Sequence, residues 1–156
     1  MPKVVLDHKV PEFTLPASGT HETWSLKAAA GRKLVLFFYP KDMTSGCTLE
    51  AQGFRDQVVA FRKANTAIVG ISRDSLASHE KFCLKEKLPY PLLSDSDEKV
   101  CRLFDVIQEK SLYGRKYMGV ERSTFLIDAQ GYLRREWRKV KVNGHVEEVL
   151  EAAKWL

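Results

Sequence analysis

The chain has 156 residues and a mass of 17.8 kDa, which fits one domain and leaves little room for two. Hydrophobic residues make up 44% and charged residues 29%, proportions that exclude an intrinsically disordered chain. No apolar run approaches the roughly 20 residues that cross a bilayer, and the charged N-terminus lacks the apolar stretch of a secretory signal. We therefore expect a single domain over residues 1–156, a cytoplasmic location and no membrane partner.

The charge balance is basic, with 25 Lys and Arg against 20 Asp and Glu and a net charge of +5. Such a balance can indicate an acidic partner such as nucleic acid. Most positive charges are interleaved with negative ones, however, and the densest basic stretch, residues 134–141, is equally typical of the solvated face of a strand. We favour the solvated strand and expect no nucleic-acid partner.

Short apolar runs predict the buried strands of a sheet. The run LVLFFYP at 34–40 predicts a central strand ended by proline, and TAIVGI at 66–71 and STFLI at 123–127 predict two more. DAQG at 128–131 is a turn signal, and the alternating segment after it predicts a hairpin partner strand. Before the first strand, PEFTLPASG at 11–19 predicts a small hairpin in an N-terminal extension.

Helical patterns alternate with these strands. After Thr44, apolar residues at i, i+4 and i+7 predict a helix with one apolar stripe of Phe54, Val58 and Phe61. Residues 95–104 predict another helix. Both patterns place helices in the connections between strands, as an α/β fold requires.

A further helix is predicted after an N-cap at Asp74 and Ser75. Its inward side is expected to hold Leu76, Cys83 and Leu84.

The last helix is predicted at 145–156, with Val146, Val149, Leu150 and Ala153 facing inward. The element order is then β-α-β-α-β-α-β-β-α after the N-terminal extension. This order predicts an α/β fold in which helices flank a mixed sheet.

The junction between the first buried strand and the first long helix places Cys47 just inside a helix start. Unpaired N–H groups and the positive end of the helix dipole stabilise a thiolate at such a position. The Thr44 hydroxyl, three residues earlier, and the backbone N–H groups around Cys47 could stabilise charge that develops during a reaction. A small apolar helix residue would occupy the same position, so the residues alone leave both interpretations open.

Two motifs together resemble the peroxiredoxin family. PKDMTSGC at 40–47 matches the family signature P-x-x-x-[TS]-x-x-C, and ERSTFLID at 121–128 is similar to its R-x-[ST]-F-[LV]-I-D strand. The resemblance covers nearly the whole chain and is closest to the peroxiredoxin Q, or bacterioferritin comigratory protein, subfamily. It implies a thioredoxin-like fold, with a mixed central sheet flanked by helices and an N-terminal hairpin extension.

The resemblance also implies roles for individual residues. Cys47 would be the peroxidatic cysteine, whose thiolate attacks a hydroperoxide and becomes a sulfenic acid. Thr44 would exchange hydrogen bonds with the peroxide oxygens, and Arg122 would hold its guanidinium beside the sulfur. Pro40 would pack over the substrate pocket and restrict water, and Glu50 would orient Arg122.

The chain departs from the commonest pattern of the subfamily, which places a second cysteine five residues after the first. Gln52 occupies that position here. Other members carry the resolving cysteine on the following helix, and Cys83 fits this position, 36 residues after Cys47. A disulfide requires Cα atoms within about 7 Å, so local unwinding would accompany its formation if the two helices are packed separately. Cys101 has no motif around it and is expected to be a spectator.

The expected protein is an atypical 2-Cys peroxiredoxin that reduces hydrogen peroxide and organic hydroperoxides and is recycled by thioredoxin or a similar dithiol. No cofactor or metal is expected, and the subfamily suggests a monomer. A thioredoxin-like disulfide oxidoreductase would share the fold, but its chemistry needs C-x-x-C, and Thr44 stands at the first of those positions. A basic nucleic-acid-binding module is the alternative outside enzymes.

Overall fold

The most apolar segment of the chain forms the middle of a five-stranded sheet. A computed structural model describes residues 3–19 and 22–156. Its strands are β1 (Thr14–Pro16), β2 (Thr23–Ser25), β3 (Lys33–Phe38), β4 (Thr66–Ser72), β5 (Leu92–Ser94), β6 (Ile107–Leu112), β7 (Arg115–Val120), β8 (Ser123–Ile127) and β9 (Leu133–Trp137).

Five α-helices connect or follow these strands. They are α1 (Ser45–Asp56), α2 (Val58–Lys63), α3 (Leu76–Glu86), α4 (Lys99–Leu103) and α5 (His145–Trp155), and a short 3-10 helix covers Leu26–Ala29. None of these helices, which lie in residues 3–19 and 22–156, is long and apolar enough to cross a membrane.

The central sheet is mixed, with the strand order β5-β4-β3-β8-β9. β3, β4 and β5 run parallel to one another, and β8 and β9 run antiparallel to their neighbours. The predicted fold class is therefore confirmed. The N-terminal hairpin pairs β1 with β2, so PEFTLPASG supplies its first strand rather than the whole hairpin.

Alternate residues of β3 face two separate hydrophobic layers. Leu34, Leu36 and Phe38 pack into one layer together with Cys101. The intervening residues of β3 pack into the other layer, which contains Cys47 and Phe54 and has Cys83 at its edge. The sheet therefore separates Cys101 from the other two cysteines, and this separation limits which thiols can react with each other.

The first predicted helix is broken in two at Gln57. The N–H of Gln57 donates to the carbonyl of Phe54 at 3.2 Å, a bond three residues back that ends α1, and α2 begins at the next residue. Phe54 and Phe61 are buried and Val58 is partly buried, so the predicted apolar stripe survives the break.

The predicted inward side of α3 is partly wrong. His79 and Phe82 are its buried residues, and Leu84 is 80% exposed. The N-cap is Ser75, whose hydroxyl accepts from the N–H of Ser78 at 3.2 Å. Asp74 does not cap the helix.

Two elements between β5 and β8 differ from the prediction. The helix expected over 95–104 is shortened to α4, because Asp95 stays outside it and accepts from the N–H groups of Val100 and Cys101 at 3.2 and 2.6 Å. The paired strands β6 and β7 were not predicted. Most of their side chains are exposed, and buried and exposed residues do not alternate regularly along them. Their sequence therefore lacks the alternating apolar pattern that marks a half-buried strand.

The helix α5 is fixed to the central sheet by a polar contact. Nε2 of His145 lies 2.7 Å from the hydroxyl of Thr124 on β8, and both side chains are buried. Burial lowers the pKa of His145 to about 4. The imidazole therefore stays neutral in the folded protein over the pH range, from about 6.5 down to about 4, in which it gains a proton in the unfolded chain.

We predict that His145 makes the fold sensitive to acid. Between about pH 6.5 and pH 4 the unfolded chain binds a proton at this residue and the folded chain does not, so stability falls as the pH falls. A His145→Gln variant lacks this contribution. Measured by urea unfolding at pH 7.5 and at pH 5, the free energy of unfolding of the parent should fall by roughly 1–2 kcal/mol more than that of the variant. Equal losses would contradict the prediction.

Candidate active site

The pairing of β8 with β3 brings two distant sequence motifs together. Ser123 pairs with Phe38 in an antiparallel register, so the residue just before β8 lies at the carboxyl end of β3. That residue is Arg122. The loop that follows β3 leads directly into α1, whose third residue is Cys47.

The side chain of Arg122 contacts the sulfur of Cys47. Nη2 donates to Sγ over 3.4 Å, and Cys47 is only 2% exposed. Gly46 lies against the same guanidinium: a Cβ added at Gly46 would be only 3.2 Å from Nη2. The sulfur therefore lies at a helix start, beside a fixed positive charge, and largely out of water.

Glu50 lies one helical turn after Cys47 and holds the other side of the guanidinium. Its Oε1 accepts from Nη1 of Arg122 at 2.7 Å, and its side chain is fully buried. Among residues 3–19 and 22–156, no hydrogen-bond partner reaches its Oε2. Burial raises the pKa of Glu50 to about 7, although Arg122 opposes the rise. The carboxyl therefore changes its charge near neutral pH.

Thr44 and Pro40 border the same loop. The hydroxyl of Thr44 donates to the carbonyl of Lys41 at 2.9 Å, so its proton is already used and its lone pairs remain available. Thr44 also makes no side-chain bond that caps α1. Donation from Thr44 to a peroxide oxygen would require this bond to break, and its donor role stays a prediction. Pro40 is half-buried, and its packing over a pocket also stays a prediction.

The other two cysteines occupy different surroundings. Cys83 is half-buried on α3, with Sγ 3.2 Å from the hydroxyl of Ser18, and burial raises its pKa. Cys101 is fully buried, and burial together with Asp95 raises its pKa far above the usual range. All three thiols are free, and the sulfurs of Cys47 and Cys83 have separate partners. Hydrogen bonds join Cys47, Glu50 and Arg122 directly, whereas the hydrogen bond of the Cys83 sulfur goes to Ser18.

Polar contacts nevertheless join the helices that carry the two cysteines. Nε2 of Gln52 donates to Oε1 of Glu86 at 2.7 Å, and Nη1 of Arg55 donates to the carbonyl of Glu86 at 2.8 Å. The hydroxyl of Tyr90 donates to the carbonyl of Ala51 at 2.7 Å. Gln52, five residues after Cys47, therefore attaches α1 to α3.

A buried polar network that the sequence did not indicate supports the loop before α1. Asp42 accepts from the hydroxyl of Tyr39 at 2.6 Å and from the hydroxyl of Ser78 at 2.8 Å. Nδ1 of His79 lies 2.7 Å from Asp42, and its Nε2 lies 2.9 Å from the carbonyl of Leu93. A carboxylate and a carbonyl both accept, so each ring nitrogen of His79 faces an acceptor.

This network fixes the loop to α3. Burial alone would raise the pKa of Asp42, but the bonds from His79 and Tyr39 lower it and keep it ionised. The sequence signal that could have indicated this network is a histidine on an otherwise apolar helix face. His79 lies on the buried face of α3 beside Phe82.

Two arginines of the basic stretch near the C-terminus make hydrogen bonds within the protein. Arg134 bonds Asp128 at 2.7 Å and Asp7 at 3.0 Å. Arg138 donates to the backbone carbonyls of Phe104 and Asp105, both at 2.9 Å. The other basic residues of the stretch, Arg135, Lys139 and Lys141, are exposed.

Comparison with known proteins places this site in a family. The family model described as "AhpC/TSA family" matches residues 6–136. The chain is 49% identical to peroxiredoxin Bcp of Xanthomonas campestris, over 99% of this chain and 97% of that protein. It is 47% identical to peroxiredoxin Bcp of Bacillus subtilis, over 97% of this chain and 96% of that protein.

Solved structures agree. Peroxiredoxin Q of X. campestris has a TM-score of 0.87 at 49% identity and covers 92% of this chain and 90% of its own. This chain therefore belongs to the AhpC/TSA family. Within it, the chain is a peroxiredoxin of the Bcp or Q subfamily and a thiol peroxidase, which confirms the family and the thioredoxin-like fold expected from the sequence.

We predict that Gly46→Ala slows the reaction of the protein with peroxide while leaving it folded. The new methyl group would displace Nη2 of Arg122, and with it the charge beside Cys47. We expect about a tenfold loss, less than the roughly 100-fold typical of removing an electrostatic donor altogether. Alanine is favoured over glycine within helices, so stability should not fall. Stopped-flow kinetics and urea unfolding measure the two effects.

Val59→Ala is the matched control, because Val59 lies on the next helix, α2, and is 57% exposed. It should react at the parent rate. A Gly46→Ala variant that also reacts at the parent rate would show that the position of the guanidinium does not limit the reaction.

Proposed function

We propose that Cys47 is the peroxidatic residue of this peroxiredoxin. The observation that supports it most directly is the 3.4 Å contact between Nη2 of Arg122 and the buried sulfur at the start of α1. The thiolate attacks the terminal oxygen of a hydroperoxide, so that an S–O bond forms as the O–O bond breaks. The departing oxygen takes a proton and leaves as water or an alcohol, and the sulfur becomes a sulfenic acid.

Each neighbouring residue has a part in this step. Arg122 favours the thiolate and the negative charge that develops on the breaking O–O bond. Glu50 positions Arg122 through the bond at 2.7 Å. Thr44 contributes its hydroxyl oxygen, whose lone pairs can accept from the O–H of a hydroperoxide. Pro40 limits the access of water to the pocket.

The proposed substrates are hydrogen peroxide and organic hydroperoxides. A solved structure of the X. campestris bacterioferritin comigratory protein, 48% identical to this chain, concerns alkyl peroxide reduction through a trapped intermediate and ligand complexes. Apolar side chains also flank the sulfur in this sequence: Met43 and Leu49 are both more than 40% exposed. Exposed apolar side chains this near the thiol in sequence are compatible with an alkyl group on the substrate.

Cys83 is the proposed resolving cysteine, in an atypical 2-Cys cycle. It shares a hydrophobic layer with Cys47, whereas Cys101 lies in the layer on the other side of the sheet. Structures of the X. campestris protein also exist with either of two cysteines replaced by serine, and those positions are 36 residues apart, as Cys47 and Cys83 are here. This agreement in spacing supports the pairing.

The proposed reductant is thioredoxin or a similar dithiol, acting on a monomer. An intramolecular disulfide between α1 and α3 would need no partner subunit, which supports a monomeric cycle. The three free thiols favour a reducing compartment, and we propose the cytoplasm.

The nucleophile is tested by Cys47→Ser. Serine keeps the shape of the side chain but does not ionise at neutral pH, so peroxide consumption should fall below about a tenth of the parent rate. Cys101→Ala is the matched control, because it removes a buried thiol from the opposite face of the sheet. Equal peroxide consumption by Cys47→Ser and the parent, measured with dithiothreitol as reductant, would exclude Cys47 as the nucleophile.

The resolving step is tested by Cys83→Ser. This variant should consume about one equivalent of peroxide and then stop cycling with thioredoxin, leaving a sulfenic acid, or a sulfinic acid under excess peroxide. The parent should lose two thiols per peroxide and form a 47–83 disulfide, identified by mass mapping. A mapped 47–101 disulfide, or full thioredoxin-linked turnover by Cys83→Ser, would exclude Cys83 from this role.

A further inference from the structure

The sulfur of Cys83 lies against the hydroxyl of Ser18, in the segment after β1. The distance between Sγ and Oγ is 3.2 Å, and Ser18 is 4% exposed. Two bonds to one residue hold Ser18 in place. Its N–H donates to the carbonyl of Leu92 at 3.0 Å, and its Oγ accepts from the N–H of Leu92 at 2.9 Å. The hydroxyl oxygen is therefore fixed to β5 and not to the helix that carries Cys83.

The direction of the bond between Ser18 and Cys83 follows from these contacts. A hydroxyl has one proton and two lone pairs. The N–H of Leu92 uses one lone pair, so the proton of Ser18 remains free to point at the sulfur. A thiolate can only accept, so Ser18 is the donor whenever Cys83 is ionised.

The other charged groups around Cys83 oppose its ionisation. Burial raises the pKa of this thiol, and Glu80 on the same helix and Asp42 in the loop before α1 raise it further. Tyr90 is also within electrostatic range, and Lys87 borders the same surface hollow of about 550 Å³. The hydrogen bond from Ser18 acts in the opposite direction and lowers the pKa.

We infer that Ser18 assists the resolving step by donating a hydrogen bond to the thiolate of Cys83. The inference rests on the proposed role of Cys83. In that step the thiolate attacks the sulfenic sulfur of Cys47, and an S–S bond forms as the S–O bond breaks. The hydroxide that leaves combines with the proton lost by Cys83 to form water. The sulfenic sulfur is reduced and the thiol sulfur is oxidised, so no further reactant is needed.

The size of the effect is set by two opposing trends. Losing a hydrogen bond to a charged group should lower the thiolate population about tenfold near neutral pH. The remaining thiolate is more basic and more nucleophilic, and a Brønsted coefficient of about 0.4–0.5 recovers about threefold of that loss. Disulfide formation should therefore slow by about threefold.

The ionisation of Cys83 is tested with Cys83 as the only thiol, in a Cys47→Ser, Cys101→Ala background. The probe is the pH dependence of alkylation by iodoacetamide. Ser18→Ala should move the inflection of the rate to higher pH than in the background protein. An unchanged inflection would overturn the inference.

A matched pair separates loss of the hydroxyl from loss of packing. Ser18→Ala leaves the buried N–H of Leu92 without an acceptor and can destabilise the segment. Ser18→Thr and Ser18→Val have the same shape and differ only in the hydroxyl, so Thr should keep the original inflection and Val should shift it. Thr66→Val, which removes a buried hydroxyl at the far end of β4, should leave it unchanged.

The resolving step itself is measured with all three cysteines present, by rapid mixing with one equivalent of hydrogen peroxide and acid quenching. Ser18→Val should form the 47–83 disulfide about threefold more slowly than Ser18→Thr and accumulate more sulfinic acid under excess peroxide. Faster disulfide formation by Ser18→Val would overturn the inference, because Ser18 would then be a restraint on Cys83.

The two proposals fail in different ways. Absence of a 47–83 disulfide in the parent would overturn the resolving role of Cys83 and the inference with it. An intact 47–83 disulfide, together with equal alkylation profiles and equal rates for Ser18→Thr and Ser18→Val, would overturn only the role of Ser18.

Discussion

The guanidinium of Arg122 lies between a sulfur and a carboxylate, and its position depends on the antiparallel register of β8 against β3. Ser123 pairs with Phe38, which sets Arg122 level with the loop that enters α1. A shift of one residue would move Arg122 by about 3.3 Å along the strand and turn it to the other face of the sheet. The contact of 3.4 Å with Cys47 would then be lost. The register is well fixed, because every residue of β8 is buried.

Sharing one guanidinium makes the two acidic groups beside it interdependent. Glu50 has a pKa of about 7, and its Oε1 takes one N–H of Arg122 while the sulfur of Cys47 faces another. When Glu50 is ionised, its charge offsets that of Arg122 and opposes a thiolate one helical turn away. When Glu50 is protonated, the full positive charge acts on the sulfur. The net charge that Glu50 and Arg122 together present to the sulfur therefore depends on whether Glu50 is protonated.

Much of the fold follows from local patterns. The apolar runs of β3, β4 and β8 and the inward side of α5 were predicted because each buries a continuous or regularly spaced apolar set. The hairpin of β6 and β7 was missed, because most of its side chains are exposed and no such set exists. Leu84 was misplaced for a related reason, since the buried face of α3 includes His79, a polar residue that pattern analysis counts as exposed.

The site itself was accessible from the sequence only through the family motifs. Nothing local to Arg122 indicates that it meets Cys47, because strand pairing across more than 70 residues makes the contact. The same limit applies to Ser18 and to Asp42, whose partners lie on other elements. Long-range contacts of buried polar groups depend on register and on helix orientation, which composition and periodicity do not specify.

The first turn of α1 combines the proposed reactive residue, Cys47, with a low free-energy cost of unwinding. Thr44 has a residue type that commonly caps helices, but its hydroxyl bonds the carbonyl of Lys41 instead. A missing cap costs a helix about 1 kcal/mol, so this turn is less stable than a capped one, while its amide groups stay free for the sulfur and for substrate oxygens.

Further along, α1 is firmly attached to α3 through Gln52 and Arg55, both of which bond Glu86. The loop before α1 is attached in turn through Asp42 and His79. The proposed disulfide between Cys47 and Cys83 would therefore draw its movement from the segment between these two attachments. That segment is short and contains the turn that carries the sulfur of Cys47. In the proposed cycle, oxidation converts an anionic thiolate of Cys47 into a neutral sulfenic acid, which removes its charge attraction to Arg122. In that cycle, the contact that holds the sulfur in the folded site thus weakens just before the sulfur leaves the site to form the disulfide.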